Sequence, residues 1–237
     1  MAPVRNYSNW NKRTYDQKEP IEPYKKFFFI CEGVNTEVFY FKSLIDLRKQ
    51  LGIHALIDLC LLEKTEKDKH ISHPKRLLEF AQEQKKNDEI SFDEERDQMI
   101  LVIDADIYEK KPKQYKQLLA KAEAYHDTLA VTNPAFELFL LLHYENSYQT
   151  DILPHAEEIL ENRKENNRRF ISQLFSKKSG MNSKTNPKIG TLAKNVDIAI
   201  AQEKHLNQDP RKCNGTLTCN IGKLIEEIKN TKVPHGN

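Results

Sequence analysis

With 237 residues, 38% of them hydrophobic and 30% charged, a formal net charge of +2 and a mean hydropathy of -0.72, the chain can bury one good core plus a smaller appended region. Its longest apolar runs, Phe27 to Cys31 and Leu138 to Leu142, fall far short of the ~20 residues of a bilayer span. Met1 to Lys26 holds no apolar centre for a secretory signal, so the expected location is the cytosol with no membrane partner.

Residues 1–24 are polar and carry Pro3, Pro20 and Pro23 without periodicity, which predicts a flexible basic arm. The continuous apolar run Lys26 to Cys31, ended by Glu32-Gly33, suits a strand buried on both faces. Asn35 or Thr36 can cap a following helix, whose Phe41, Leu44, Ile45 and Leu51 keep roughly helical spacing. Ala55 to Leu62 reads as a second strand and Pro74 to Lys86 as a helix. The acidic stretch Asn87 to Asp97 reads as a loop. His70 and His73 lie in a Lys-rich stretch without two further ligands and read as solvated.

Met99 to Ile103 is the clearest strand, and it runs directly into Asp104-Ala105-Asp106. A helix over Gln114 to Tyr125 and a fourth strand over Thr128 to Thr132 follow. Asn133-Pro134 then predicts a helix over Ala135 to Tyr144, with Asn as cap and Pro in the first turn. Beyond Asn146 the pattern becomes helices and polar connectors, over Ile152 to Asn162, Thr191 to His205 and Thr218 to Asn230. The expectation is an α/β fold with a mainly parallel sheet flanked by helices over 25–146, and a mostly helical, basic region over 147–237. Cys31, Cys60, Cys213 and Cys219 form no C-x-x-C pair and read as reduced thiols, not as a zinc site.

In a parallel sheet every strand points its C-terminal end to one edge, where ligands bind. Three strand ends deliver acids there: Glu32, then Asp104 and Asp106, then Glu137 in the first turn after the fourth strand. In extended backbone, residues two apart share a side, so Asp104 and Asp106 can face one cation. Gathered carboxylates cannot all ionise cheaply without a cation, and hard oxygen ligands select Mg²⁺ or Mn²⁺. Such an ion suits phosphodiester chemistry, with Glu32 as a ligand or general base. D-x-D alone is weak, since acids at strand ends are usually solvated. Glu137 adds weight because Leu138 to Leu142 is apolar all round, and a buried acid needs a partner or metal.

The charge is also polarised along the chain. Glu79 to Glu109 holds eleven acids and three bases, whereas Asn162 to Lys194 holds nine bases and one acid. Arg163, Lys164, Arg168, Arg169, Lys177 and Lys178 are the candidate phosphate contacts in the second stretch. A solvated charged face is the bland alternative. Phe170 and Phe175, spaced with Ile171 and Leu174, fit a small helix packing inward better than base stacking.

Three stretches resemble the RloB-like proteins, a Toprim-related group of prokaryotic phage-defence and abortive-infection loci. They are Phe28-Phe29-Ile30-Cys31-Glu32-Gly33 with Thr36-Glu37 and Tyr40-Phe41, then Val102-Ile103-Asp104-Ala105-Asp106, then Thr132-Asn133-Pro134-Ala135-Phe136-Glu137-Leu138-Phe139-Leu140-Leu141-Leu142-His143. A looser echo runs from Asn214 to Ile228. The resemblance implies a Toprim fold in which Glu32 assists phosphoryl transfer and Asp104 and Asp106 bind Mg²⁺. It also implies a nuclease acting on DNA or RNA beside an ATPase subunit from the same locus. No Walker A motif occurs in this chain, and 237 residues scarcely accommodate a topoisomerase strand-passage domain. Two competing readings are a non-catalytic sensor subunit that binds nucleic acid or protein, and nucleotidyl transfer of the primase type. Oligomerisation is left open.

Overall fold

A computed structural model describes residues 22–64 and 73–234. The expected N-terminal arm lies outside the described residues up to position 21, as does His70. Strand β1 (Lys25–Cys31), helix α1 (Thr36–Asp46), β2 (Ile57–Leu61), α2 (Pro74–Lys85), β3 (Gln98–Asp104), α3 (Pro112–Ala124) and β4 (Thr128–Asn133) alternate as the apolar runs predict. After them come α4 (Glu137–Leu141), α5 (Ala156–Glu161), the two-residue strands β5 (Lys164–Glu165) and β6 (Arg168–Arg169), and α6 (Phe170–Ser179). A 3-10 stretch over Pro187–Asn195, α7 (Val196–Glu203), β7 (Thr218–Cys219) and α8 (Ile221–Lys229) complete the chain.

The main sheet has the order β2-β1-β3-β4-β7. Its first four strands are parallel and β7 runs antiparallel to β4. This is a mixed α/β fold, with a mostly parallel sheet flanked by helices. β1 is buried on both faces: Phe27, Phe29 and Cys31 join one apolar cluster, whereas Phe28 and Ile30 join the other. The second cluster holds α2 and α3 through Leu77, Leu78, Phe80, Leu118 and Ala122. The first holds α1, α4 and the helices of 147–237, through side chains such as Tyr40, Phe41, Phe139, Phe175, Ala199 and Ile225. Region 147–237 thus supplies one strand of the main sheet and more than a third of the buried residues of the larger cluster.

Connectivity places the crevice. From β1 the chain steps outward to β2, then returns past β1 to β3 and continues to β4, so the direction of winding reverses between β1 and β3. In open α/β sheets ligands bind beyond the carboxyl ends of the strands at that reversal. Glu32 and Asp104 are the residues that the two strands deliver there.

Four local expectations need correction. Asn133 does not cap a helix: it ends β4 and is followed by a cis Asn133-Pro134 bond, and its side-chain amide donates to the carbonyls of Cys213 (3.1 Å) and Thr216 (3.0 Å). The helix starts only at Glu137 and ends at Leu141. Leu51 lies beyond the end of α1. Thr218 and Cys219 are strand, because their backbones pair with Thr132 and Asn133 before α8 begins.

Candidate active site

Glu32 leaves β1 with its backbone N–H donating to the Val102 carbonyl at 2.9 Å, which continues the β1–β3 ladder by one residue. Its Oε2 accepts from the Asp104 backbone N–H at 3.1 Å. This side-chain contact extends the ladder that joins the two strand ends. Asp104 ends β3 half-buried, and its Oδ1 accepts from the Thr132 hydroxyl on β4 at 2.6 Å. The Lys64 ammonium donates to the Glu32 carbonyl.

Asp106 reaches the edge by another route than expected. Ala105 takes a helical conformation (φ -94°, ψ -2°), and Asp106 opens a 3-10 turn to Tyr108. The strand geometry that would align Asp104 and Asp106 therefore stops one residue short. Asp106 instead faces Arg169, with Oδ2 at 3.7 Å from the guanidinium.

Glu137 is buried at the start of α4, as its apolar helix predicts. Its Oε1 accepts from the Ser183 hydroxyl at 2.6 Å and lies 3.4 Å from the Lys184 ammonium. The loop carrying Ser183 and Lys184 is clasped by the start of α1: the Thr36 hydroxyl donates to the Ser183 carbonyl (2.8 Å) and the Asn35 amide to the Lys184 carbonyl (3.0 Å). Neither side chain caps α1, contrary to expectation. Their polar groups hold a basic loop over the acidic edge.

Sequence reasoning left Glu37 out of the site. It lies buried in the first turn of α1, its carboxylate seated against Gly33, where a Cβ would stand 2.1 Å from Oε2. Only glycine leaves that seat open. The clue was the Glu-Gly pair followed by an acid four positions after Gly33, which an amphipathic-helix reading treats as an ordinary acid near a positive dipole end.

Electrostatics express the crowding. Burial, then the charges of Glu37 and Asp106, push Glu32 up to about 8. Burial and Glu37 also hold Asp104 well above the usual carboxylate range. Burial raises Glu37, and it raises Asp106 despite the opposing pull of Arg169. For Lys184 partial desolvation works against the charge, but Glu137, Glu37 and Asp104 outweigh it and hold the ammonium more firmly protonated. The edge is a shared acidic field in which each carboxylate is costly beside its neighbours.

Among the described residues, no three His, Cys, Asp or Glu side chains are grouped so as to hold a metal ion by themselves. What the edge offers is two carboxylates at adjacent strand ends. That suits Mg²⁺, which commonly takes one or two carboxylates and completes its shell with water and substrate phosphate oxygens. The hard-donor set fits such a shared ion and not an all-protein cage.

The basic residues divide. Arg169 on β6 reaches the acidic edge through Asp106. Arg163 pairs with Glu161 (2.9 Å), and Lys178 with Asp151 (2.8 Å). Arg168 donates to the Ser176 hydroxyl. Arg163, Lys164, Arg168, Arg169, Lys177 and Lys178 are all exposed on the β5–β6 ribbon and α6, while Ile171 and Phe175 of the same helix point into the core. The four cysteines are buried and unpaired, and His73 is the N-cap of α2. No helix among the described residues is long and apolar enough to cross a membrane.

A family model described as RloB-like protein matches residues 27–228, from β1 to α8. No curated protein and no solved structure matches the chain.

Proposed function

The chain belongs to the RloB-like family, and from that premise together with its acidic edge we propose a Mg²⁺-dependent nuclease of Toprim type that cleaves DNA or RNA. The observation that carries this reading is the joining of Glu32 and Asp104 at the reversal point of a parallel sheet, within one field of buried acids. Glu32 and Asp104 would hold the ion, with Asp106 and Glu137 completing the field around it. Bound there, Mg²⁺ (or Mn²⁺) stabilises charge on a phosphodiester and lowers the pKa of an attacking water.

The remaining roles belong to the chain. Glu32, raised to about 8 by burial in the ion-free edge, would give up that proton on ligating the ion, and the Asp104 backbone N–H would hold the carboxylate in place. Lys184 and Arg169 bring positive charge over the acids, where nonbridging phosphate oxygens would lie. The exposed bases of the ribbon and α6 extend that field along a nucleic-acid backbone. A role in phage defence beside an ATPase encoded in the same locus is inferred from the family resemblance.

The test is cleavage of labelled DNA and RNA by purified protein, alone and with the neighbouring ATPase, in Mg²⁺ or Mn²⁺. Asp104→Ala should abolish cutting while the melting curve stays cooperative. A non-catalytic binding or sensor subunit is the second reading, which the exposed bases of the ribbon and α6 would serve equally. Calorimetry separates the two: divalent-ion binding that depends on Asp104 supports the nuclease, and none supports the sensor.

A further inference from the structure

A cavity lies against Tyr108, the last residue of the turn that Asp106 opens. It has a volume of about 310 Å³ and is walled by His73 and Lys75 at the start of α2, by Gln114, Gln117, Leu118 and Lys121 on α3, and by Tyr108. Gln114, Gln117 and Lys121 recur at i, i+3 and i+7, so they form one stripe along a single face of α3. The opposite face, with Tyr115 and Ala122, is buried.

The lining chemistry is selective. Two ammonium groups, two carboxamides, an imidazole and a phenol face the space, and no carboxylate lines it. Glu79 lies 3.5 Å from the Lys121 ammonium. An exposed pair at that distance is weak enough for an entering anion to replace. His73 Nδ1 accepts from the Lys75 backbone N–H at 3.3 Å, so in the neutral ring the proton sits on Nε2 as a donor. The Tyr108 phenol adds a further hydroxyl donor at the wall.

The only charged groups on the wall are two cations, which favours an anion. The volume exceeds that of a bare phosphate and lies at the lower end of small-molecule sites. Carboxamides read base edges through paired donor and acceptor atoms, and aromatic rings offer stacking surfaces. The His73 and Tyr108 rings meet edge to face at 6.1 Å.

We propose that this cavity binds a nucleoside phosphate, its phosphate on Lys75 and Lys121 and its base against Gln114, Gln117 and the two rings. The phosphate can come from a free nucleotide or from one residue of a nucleic-acid strand. Tyr108 ends the turn that Asp106 begins, so the occupant sits one 3-10 turn from the acidic edge. Binding here does not require the acids to be catalytic.

The test titrates full-length protein by calorimetry with AMP, GMP, CMP, UMP and inorganic phosphate. Fluorescence anisotropy then measures short 5′-phosphorylated single-stranded DNA and RNA. The comparison is with the exposed-residue variant Lys75→Gln/Lys121→Gln, and with Gln117→Ala as a milder second variant. A mononucleotide that binds at least tenfold more tightly than inorganic phosphate, and weakens at least tenfold in the double variant, identifies a free nucleotide. Oligonucleotide affinity that falls at least fivefold in both variants, with no mononucleotide binding, identifies a strand residue. If inorganic phosphate binds as well as every nucleotide, or if the variants change neither titration, the proposal is overturned. Asp104→Asn is the control: its nucleotide binding should match the parent whether or not the acidic edge cleaves.

Discussion

Two buried groups of acid in this molecule behave in opposite ways. Glu203 on α7 is fully buried, yet its carboxylate collects four donors: the Cys219 thiol (2.9 Å), the backbone N–H groups of Gly222 (2.7 Å) and Lys223 (2.9 Å), and the Gln208 amide (2.8 Å). It satisfies the first turn of α8, and its surroundings are apolar helix. At the sheet edge Glu32 receives one backbone N–H and Asp104 one hydroxyl, and both look towards further acids. Burial alone therefore does not mark function in a carboxylate. A saturated donor shell marks structure, whereas acids left facing one another can all ionise cheaply only beside added positive charge.

The strongest way to break this comparison is to neutralise one acid of each kind. Glu32→Gln should lower cleavage by on the order of 10³-fold, about 4 kcal/mol of barrier, in a single-turnover assay with saturating Mg²⁺. Its melting temperature at pH 7 should barely move, because an amide mimics the protonated carboxyl and its oxygen still accepts from Asp104 N–H. Glu203→Ala should do the reverse. Leaving the N–H groups of Gly222 and Lys223 unpaired costs about 3 kcal/mol, a drop of roughly 6–12 °C in Tm for a domain of this size. Per folded molecule, cleavage should persist. A stable Glu203→Ala protein without activity would undo the distinction.

How far the comparison was readable in sequence follows from how local each feature is. The runs ending at Glu32 and Asp104 are buried on both faces, so they appear as unbroken apolar blocks with an acid behind them. β7 could not be read, because two residues carry no periodicity and their pairing depends on β4, more than eighty residues earlier. Asn133 resembled a cap because cap and strand-end asparagines look alike until their partners are known. Glu37 and Lys184 were hidden for a related reason. One looked like a helix-start acid and the other like one base among nine, and only the fold brings them to the same edge.

The acidic edge should also imprint a pH dependence on stability. Glu32 is raised from 4.5 to about 8 in the folded chain. Between those values the native state keeps a proton that the unfolded chain releases, so stability falls as pH rises through this window. Asp104, Glu37 and Asp106 shift in the same direction. Without divalent ions, the unfolding free energy should drop by on the order of 2 kcal/mol between pH 5 and pH 8, after allowance for solvent screening. Mg²⁺ binds the deprotonated form, so millimolar Mg²⁺ should recover much of that loss at pH 8 and little at pH 5. Chemical denaturation across this range, with and without Mg²⁺, tests the claim. A flat profile would mean that the acids are well solvated.

Gly33→Ala sharpens the picture on a finer scale. The new Cβ would stand 2.1 Å from Glu37 Oε2 and 2.7 Å from its carboxyl carbon, so the Glu37 carboxylate must leave its seat. The far end of a flexible side chain can move, and the stability cost should stay near ~1 kcal/mol. Activity should fall about tenfold if Glu37 shapes the field around Glu32 and Asp104, and the double variant Gly33→Ala/Glu37→Gln should then lose no more than either single change.

The smallest expected effect concerns the basic side of the edge. Arg169 is half exposed and 3.7 Å from Asp106, so its ion pair contributes only ~0.5 kcal/mol to folding, and Arg169→Gln should leave Tm within a degree or two. Binding is where it should register. If the guanidinium exchanges Asp106 for a phosphate when nucleic acid arrives, the variant should reduce the slope of log affinity against log salt by about 1. Lys178, held by Asp151 at 2.8 Å on the far end of α6, should reduce it less when changed to Gln. Equal slopes for the two variants would place the nucleic acid along the whole basic surface, whereas a loss confined to Arg169 would place it at the acidic edge, where the strand ends meet.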